Sequence, residues 1–356
     1  MANIIFITEN ISNLGGIEKI TSLIANELVS EHKICILSVY NRSSSNPKYK
    51  LKGQISILNL KNKNKIFKLF EAKKIINKFK TNFVIIQGKN LYYFAYLKHL
   101  TKSKIIFVDH DSVKAYPVNQ KNENKPRKVA SKKADFIVSL TEENKSEYIE
   151  RFAVPSKKIV VIPNFIDANS NPTKYNANSK TIVAVGRYHI QKRFDLLIRA
   201  FSIIADKYPD WNIKIYGEGE LRQALQELII KNNLNKRITL CGEFKNRDEA
   251  YLDKAFLCLT SQHEGFGLVL LEGFAYKLPA ISFNCPSGPS EIIRNNSNGF
   301  LVKSYDINEF AHSIEKLIIN KNLRIEFSNN TEKTLSVFNK ETIIEKWKQL
   351  FKISLR

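Results

Sequence analysis

The sequence has no run of 18 or more apolar residues, so its 356 residues are not expected to contain a transmembrane helix. The first segment, "MANIIFITENISNLGG", has no basic leader followed by an apolar core and a small-residue cleavage site. It predicts a first strand rather than a signal peptide. Cysteine is also scarce, with four residues and no CxxC spacing, at Cys35, Cys241, Cys258 and Cys285. These four cysteines are therefore expected to be small apolar core residues of a protein in a reducing cytoplasm.

Acidic residues are few, because 34 Asp and Glu stand against 56 Lys and Arg, a net charge of +22. The excess is uneven, since residues 1–167 have 29 Lys and Arg against 14 Asp and Glu. Residues 41–80 alone carry 12 basic residues and one acid, Glu71. A composition rich in Lys, Asn and Ile explains a basic chain, whereas the clustering favours contact with an anionic surface, either phospholipid or nucleic acid. Both interpretations stay open here.

Short β-branched runs alternate with helix-like stretches, beginning with "NIIFIT" at 3–8 and "KICILSVY" at 33–40. Because the runs are continuously apolar, they predict parallel strands covered on both faces. The pattern restarts near residue 180, after a polar segment at 167–180 that has the composition of a linker. The sequence therefore predicts an α/β protein of two doubly wound domains with a cleft between them.

Two segments predict amphipathic helices. The last one, 339–356, has apolar residues at 343, 344, 347, 350 and 351 on one face and could pack onto either domain. The basic segment 60–80 has lysines on much of its surface, and its apolar face comprises Ile66, Leu69, Phe70, Ile76 and Phe79. This second helix fits an anionic membrane surface, and it equally fits a helix that covers the sheet.

The segment "NISNLGGIEKIT" (10–21) follows the first strand and opens the first helix. Gly15 and Gly16 allow a sharp turn and a close approach of the backbone to a ligand. The free N–H groups at the start of the following helix can bind an anion. The spacing is not GxGxxG, so no dinucleotide fingerprint is present, and an ordinary strand-to-helix turn is the alternative.

The second half of the chain carries two further loops of interest. In "VAVGRYHIQKRFD" (183–195), Arg187 and Lys192 follow a strand, where two cations can hold a diphosphate. Two solvated surface cations are the alternative. In "IYGEGELRQAL" (215–225), Gly217 and Gly219 permit a tight turn into a helix, which a plain turn explains equally well.

The segment "SQHEGFGLVLLEGF" (261–274) has a carboxylate at each end of an apolar run. Glu264 is expected in a loop after a strand, with Gly265 and Gly267 permitting a tight approach and a helix beginning near Gly267. The first N–H groups of that helix and Glu272, about one turn further, are then positioned for a bound nucleotide. A buried amphipathic helix with two acids at its rim is the alternative.

Taken in order, these segments, followed by "CPSGPSEII" (285–293) and "NGFLV" (298–302), resemble the family 4 retaining glycosyltransferases of the GT-B fold. The resemblance covers essentially the whole chain. It implies two Rossmann-like doubly wound domains facing across a cleft, with the C-terminal helix returning to the N-domain. Residues 1–167 with 340–356 would form the acceptor-binding domain, and residues 168–339 the nucleotide-sugar-binding domain.

The resemblance also implies roles for individual residues. Arg187 and Lys192 would neutralise the leaving diphosphate, Glu264 would lie near the donor sugar, and His110 would face that sugar; these four are the expected catalytic residues. Glu272 would hold the ribose hydroxyls. The implied donor site comprises Gly15, Gly16, Arg187, Lys192, Gly217, Phe244, Glu264, Gly265, Phe266, Gly267, Leu268, Val269 and Glu272.

One departure from the family is "VDHDS" (108–112), where Ser-Glu-His is frequent. Asp109 and Asp111 form a D-x-D, which binds a divalent metal in the other main glycosyltransferase fold. Because two fixed cations and a helix N-terminus already suffice to stabilise a diphosphate, we expect no metal and no cofactor besides the nucleotide-sugar substrate. Metal binding stays the alternative.

The expected activity is transfer of a hexose or N-acetylhexosamine from a UDP-sugar to a glycan acceptor, with retention of configuration. The family members most similar in their motifs suggest a lipid-linked acceptor in bacterial capsule or lipopolysaccharide synthesis. We expect a cytoplasmic protein, peripheral on the inner face of the membrane through its basic N-domain. A nucleotide-sugar epimerase of the same fold is the alternative; a nucleic-acid-binding protein is disfavoured because no such motif is present.

Overall fold

The computed structural model describes residues 1–13, 15–40, 46–117, 120–167 and 175–354. The chain divides into two compact units, Met1–Asp167 with Lys340–Arg356 and Ala168–Asn339. Half of the predicted linker 167–180, residues 168–174, lies outside the described residues. Within the described ranges, no helix is both long and apolar enough to cross a membrane.

The first unit is built on a seven-stranded parallel sheet. Its strands are β1 (Asn3–Thr8), β2 (Lys33–Ser38), β3 (Ser56–Asn59), β4 (Phe83–Gln87), β5 (Lys104–Asp109), β6 (Phe136–Ser139) and β7 (Ile159–Val161). Their order is β3-β2-β1-β4-β5-β6-β7, so the order reverses between β1 and β4. This is the doubly wound arrangement that the alternating apolar runs predict.

The second unit repeats the architecture with six parallel strands. They are β8 (Thr181–Val185), β9 (Asn212–Tyr216), β10 (Ile238–Gly242), β11 (Phe256–Leu259), β12 (Ala280–Phe283) and β13 (Gly299–Val302). The order β10-β9-β8-β11-β12-β13 reverses between β8 and β11. The prediction of two Rossmann-like units is therefore confirmed.

Most of the helices lie between consecutive strands in the chain, and the last three follow β13. The helices are α1 (Gly16–Leu28), α2 (Lys65–Lys78), α3 (Lys121–Lys133), α4 (Glu142–Phe152), α5 (Phe194–Ile204), α6 (Arg222–Lys231), α7 (Arg247–Tyr251), α8 (Leu268–Ala275), α9 (Pro289–Ile292), α10 (Ile307–Ile319), α11 (Lys321–Val337) and α12 (Lys340–Ser354). Short 3-10 segments occupy Lys89–His99, Ser156–Lys158, Ile190–Lys192 and Ala205–Lys207.

The C-terminal helix α12 packs on the first unit, as the resemblance implies. Its apolar face is buried, and the ring of Phe351 lies 4.8 Å from that of Phe83 in β4. Trp347 is 2% exposed. Lys348 forms an ion pair with Glu31 at the surface. The apolar period of residues 339–356 therefore predicts both the helix and the face that it buries.

Helix α2 is divided along its length. Toward its end, Ile76 is buried and packs in the core of the first unit. Toward its start, the side chains of Ile66, Phe67 and Phe70 are 62%, 61% and 50% exposed. The interpretation as a helix that covers the sheet therefore holds for the later residues. The earlier residues leave a basic, apolar surface uncovered, and contact of this surface with a membrane stays a prediction.

Candidate functional site

The carboxyl ends of β8 and β11 lie side by side at the reversal of strand order in the second unit. In open parallel sheets, ligands bind outside the carboxyl ends of the strands at this point. Arg187 and Lys192 follow β8, and Glu264 follows β11. The topology therefore brings together predicted residues that lie 72 positions apart in the chain, as in the pair Lys192 and Glu264.

An ion pair joins these two strand ends. The Nζ atom of Lys192 donates to Oε1 of Glu264 at 2.6 Å, and the two side chains are 17% and 9% exposed. The hydroxyl of Ser261 donates to the same carboxylate oxygen at 2.6 Å. Because a buried carboxylate is costly without a partner, this pairing explains how an acid is tolerated beside the apolar run that follows it.

Backbone and side-chain hydrogen bonds join the loop after β8 to the loop after β11. The N–H of Gln262 donates to the carbonyl of Gln191 at 2.7 Å, and Nε2 of Gln191 donates to the carbonyl of His263 at 3.0 Å. The hydroxyl of Thr260 donates to the carbonyl of Lys192 at 3.0 Å. The position of Lys192 relative to Glu264 is therefore fixed by the surrounding backbone as well as by charge attraction.

Arg187 differs from Lys192 in having its charge uncompensated. It follows Gly186 directly after β8 and is exposed, and its side chain forms no hydrogen bond or ion pair within the described part of the chain. The aliphatic stem of Lys192 lies over Gly186, where an added Cβ would come within 3.2 Å of that stem. The two cations therefore flank one short stretch of backbone.

The turn containing Gly217 packs against this stretch. The N–H of Tyr188 donates to the carbonyl of Glu218 at 2.9 Å. Gly217 has a φ of +142°, and a Cβ there would overlap the carbonyl of Gly186. Packing between two loops is thus sufficient reason for glycine at this position, and a role of Gly217 toward a ligand stays a prediction.

Helix α8 begins at Leu268, with Gly267 as its N-cap residue in the left-handed region at a φ of +89°. No side chain caps this terminus. The helix therefore starts where the sequence predicts, with its first N–H groups, including that of Val269, unfilled by a capping side chain. Gly265 is half-buried, whereas Phe266 is only 2% exposed, so the Phe266 ring belongs to the interior and a contact of this residue with a ligand stays a prediction.

Glu272 lies in α8 and is 5% exposed. Its Oε2 accepts a hydrogen bond from the hydroxyl of Tyr251 at 2.6 Å. Phe244 is half-buried, and its ring is steeply inclined to that of Tyr251, with 6.3 Å between ring centres. Tyr251 and Ser261 were not predicted as site residues. Tyr251 lies 21 positions from Glu272, whereas Ser261 is three positions from Glu264 in the loop after β11.

In the first unit, Asp109 at the end of β5 belongs to a buried network. Its Oδ2 accepts from Nε of Arg127 at 2.7 Å and from the hydroxyl of Tyr148 at 2.7 Å. All three residues are fully buried. Burial, with the neighbouring Asp109 carboxylate, raises the pKa of Tyr148, so this hydroxyl stays a proton donor.

Asp111, the second acid of the D-x-D, is likewise engaged. Its Oδ2 lies 2.9 Å from Nζ of Lys89 and accepts from the hydroxyl of Tyr116 at 3.0 Å. Both acids of the motif therefore compensate cations of the protein itself, and the described residues hold no group of three or more His, Cys, Asp or Glu suited to a metal ion.

His110 lies between these acids and points to a different partner. Its Nε2 is 2.5 Å from Oε1 of Gln87, the last residue of β4. Because an amide oxygen only accepts, Nε2 carries the hydrogen and Nδ1 remains an acceptor. Burial lowers the pKa of His110 to about 4, so the ring is neutral near pH 7.

Gly15 and Gly16 mark the start of α1, also in the first unit. Gly15 is the N-cap residue, with extended backbone and no capping side chain. A Cβ on Gly15 would overlap the carboxylate of Glu18, whereas one on Gly16 would meet nothing within 4 Å. Because that carboxylate is the far end of a flexible side chain, which can move, packing requires glycine at neither position.

Comparison with known proteins matches each half of the chain to a family model. Residues 14–170 match Glycosyltransferase Family 4, and residues 165–334 match Glycosyl transferases group 1. The chain is 28% identical to the amylovoran biosynthesis glycosyltransferase AmsD of Erwinia amylovora, over 98% of this chain and 99% of that protein.

A second relative comes from Campylobacter jejuni subsp. jejuni serotype O:2, with 26% identity over 95% of each protein. Its name describes an alpha-1,4-N-acetyl-D-galactosaminyltransferase for GalNAc-alpha-(1->4)-GalNAc-alpha-(1->3)-diNAcBac-PP-undecaprenol. Among solved structures, a mutant of S. aureus TarM in complex with Fondaparinux, alpha-GlcNAc-glycerol and UDP superposes with a TM-score of 0.85. It is 17% identical, and the match covers 99% of this chain and 100% of that one, which shows a shared fold.

The low pKa of His110 predicts a pH-dependent contribution to stability. The unfolded ring binds a proton near pH 6.5, whereas the folded ring resists protonation until about pH 4, so stability is lost as pH falls through this interval. We expect His110→Gln to reduce the loss of stability between pH 6.5 and 4.5 by roughly 1–2 kcal/mol, discounted for partial exposure of the ring. Thermal unfolding at several pH values measures it.

The exposed His312 supplies the control, because its side chain is 54% exposed. His312→Gln should leave the pH dependence of the unfolding temperature as in the parent protein. Identical pH profiles for His110→Gln and the parent protein would show that burial of the His110 ring imposes no such penalty.

Proposed function

This chain is a family 4 glycosyltransferase of the GT-B fold, and we propose that it transfers a hexose or N-acetylhexosamine from a UDP-sugar to a glycan acceptor with retention of anomeric configuration. One observation carries the proposal. At the reversal of strand order in the second unit, the exposed Arg187 lies beside a Lys192–Glu264 ion pair. The UDP bound in the TarM complex supports the choice of nucleotide.

The two cations would act on the leaving group. As the bond to the sugar breaks, negative charge develops on the diphosphate, and fixed cations stabilise charge best where it develops. We assign Arg187, whose guanidinium can bind two oxygens at once, and Lys192 to this role. Glu264, already held by Lys192, is assigned to the donor sugar. No residue is assigned as a nucleophile.

The start of α8 would hold the rest of the nucleotide. Its uncapped N–H groups, from Gly267 to Val269, are suited to an anion or a sugar hydroxyl. Glu272 is assigned to the ribose hydroxyls, because a carboxylate accepts from two hydroxyls. Phe244 is assigned to the base, through its half-buried ring.

Three residues of the first unit are also assigned to the donor. Gly16 stands where a Cβ would meet nothing in the protein, so a requirement for glycine there would come from a ligand. Gly15 shapes the same turn. The neutral ring of His110 has Nδ1 as an acceptor, which suits a hydrogen bond from a sugar hydroxyl.

We propose that the reaction needs no divalent metal. Both acids of the D-x-D compensate cations, Asp109 with Arg127 and Asp111 with Lys89. Recruiting Asp109 to a metal would take from the buried Arg127 its closest carboxylate, which is costly. Recruiting Asp111 would remove one of the two carboxylates, with Glu123, that pair with Lys89. The diphosphate charge is instead assigned to the cations of the second unit.

The acceptor is proposed to be a lipid-linked glycan in the synthesis of a bacterial surface polysaccharide, such as capsule or lipopolysaccharide. Two names support this, those of the amylovoran enzyme and of the Campylobacter enzyme, whose acceptor carries PP-undecaprenol. The protein would then work at the inner face of the cytoplasmic membrane, where such an acceptor is anchored.

A surface of the first unit is suited to that location. On α2, the exposed Ile66, Phe67 and Phe70 lie among lysines, and the segment 60–80 has Glu71 as its sole acid. Apolar side chains next to Lys ammonium groups are the combination with which helices bind anionic bilayers. We propose that the start of α2 contacts the membrane.

A donor panel tests the function. UDP-Gal, UDP-GalNAc, UDP-GlcNAc, UDP-Glc and GDP-Man are compared by the rise in unfolding temperature that each produces, since a ligand of the folded state stabilises it. We expect at least one UDP-sugar to stabilise the protein, GDP-Man to have no effect, and EDTA to leave the result unchanged. Absence of stabilisation by every UDP-sugar would overturn the proposed donor, and its loss in EDTA would overturn metal independence.

Removing either cation should reduce turnover. We expect Arg187→Ala and Lys192→Ala each to lower kcat, measured as UDP release, by about 10²–10³-fold, because each loses a contact that strengthens in the transition state. Arg199→Ala and Lys180→Ala, which truncate exposed cations of the same unit, are matched controls with unchanged turnover. Near-native turnover in both test variants, with folding intact, would contradict the assignment.

Membrane contact is tested by co-sedimentation with vesicles. The parent protein should bind anionic vesicles, lose binding at high salt, and ignore neutral vesicles. Phe67→Ser with Phe70→Ser should weaken binding at least about tenfold, because two exposed rings no longer enter the bilayer. The control pair, Ile230→Ser with Ile319→Ser, removes side chains of similar exposure elsewhere and should bind normally. Equal binding to neutral vesicles, or normal binding by the phenylalanine variant, would count against this surface.

A further inference from the structure

Tyr251 and Glu272 form a buried hydrogen-bonded pair in the second unit. The hydroxyl of Tyr251 donates to Oε2 of Glu272 at 2.6 Å, and the two residues are 0% and 5% exposed. The bond joins α7 to α8, which are separate in sequence. A hydrogen bond to an ionised group is stronger than one between neutral groups, so it restricts the carboxylate to one orientation.

The ring of Tyr251 is itself immobilised by aromatic neighbours. It stacks on Tyr276 with 5.5 Å between ring centres and 27° between planes, and the steeply inclined ring of Phe244 lies nearby at 6.3 Å. Tyr276 directs its own hydroxyl to Oδ1 of Asp248 at 2.5 Å. The hydroxyls of the two stacked tyrosines therefore bind different acids, that of Tyr251 Glu272 and that of Tyr276 Asp248.

The hydroxyl of Tyr251 is a permanent donor in the neutral pH range. Burial, reinforced by the charge of Glu272, raises its pKa well above the ordinary value of 10.0. Glu272 thus keeps one oxygen engaged by the protein. A carboxylate accepts at about four positions on two oxygens, so this bond orients the group without using its whole capacity.

We propose that Tyr251 is a positioning residue for nucleoside recognition: its hydroxyl holds the Glu272 carboxylate in the orientation that accepts hydrogen bonds from the ribose hydroxyls of the donor. This inference rests on the proposed function, in which Glu272 binds the ribose. It adds that the ribose contact depends on a buried side chain that never touches the nucleotide. Without the hydroxyl, the carboxylate loses this restraint and binds the ribose less tightly.

The test compares binding of UDP and 2′,3′-dideoxy-UDP by isothermal titration calorimetry. The ratio of their dissociation constants isolates the ribose hydroxyls, because base and diphosphate contacts are common to both ligands. We expect the parent protein to prefer UDP by at least about tenfold, the range of a hydrogen bond to a charged group. Tyr251→Phe, which keeps the ring and its stacking, should reduce the preference to about twofold or threefold.

Two further variants make the result specific. Tyr276→Phe removes a hydroxyl from the same aromatic stack and should retain the full preference for UDP. Glu272→Gln should reduce it as Tyr251→Phe does. In turnover assays, Tyr251→Phe should raise KM for the donor with kcat nearly unchanged, since the ribose is bound equally in the ground and transition states.

The possible results distinguish a failure of this inference from a failure of the proposed function. Retention of the preference in Tyr251→Phe, with its loss in Glu272→Gln, would overturn the role of Tyr251 and leave the ribose assignment intact. A parent protein that binds UDP without preference over the dideoxy analogue would overturn the inference as well. A parent protein that binds neither nucleotide would overturn the proposed donor itself.

Discussion

The ion pair between Lys192 and Glu264 is the interaction on which the second unit's site depends. It joins the loops after β8 and β11, the two strands between which the sheet order reverses. A largely buried ion pair contributes little net stability, because desolvation offsets the attraction, yet losing one partner is costly. The presence of this ion pair is therefore better explained by the positions that it gives to its two charged groups than by stability. It holds an ammonium and a carboxylate at the edge where an open parallel sheet binds its ligand.

In the first unit, an acid at a strand end is likewise held by partners within the protein, but this group is fully buried. Asp109 at the end of β5 is held by Arg127 and Tyr148, all without exposed surface. The network fixes the backbone from which His110 extends, while Gln87 orients the ring. In both units, charged groups at strand ends are compensated by the protein itself. The exposed Arg187 is the exception among the predicted site residues, and this makes it the cation best suited to receive an anion.

Much of this could be predicted from the sequence, because parallel strands buried on both faces leave continuous apolar runs, as in β1 and β11. The period of residues 339–356 likewise identified the buried face of α12. Strand β3 was not predicted, because it has only four residues, all exposed, and Ser56 and Asn59 interrupt the apolar residues around it. The partners of the predicted acids were also missed. Tyr251 lies 21 positions from Glu272, and a hydroxyl that bonds to a distant acid leaves no local periodic signal.

The central claim is that the diphosphate of a UDP-sugar binds against the loops after β8 and β11. A crystal structure of the protein with UDP tests it most directly. The account predicts pyrophosphate oxygens within hydrogen-bonding distance of the Arg187 guanidinium and the Lys192 ammonium, next to the N-terminus of α8. Pyrophosphate bound away from both cations would contradict it.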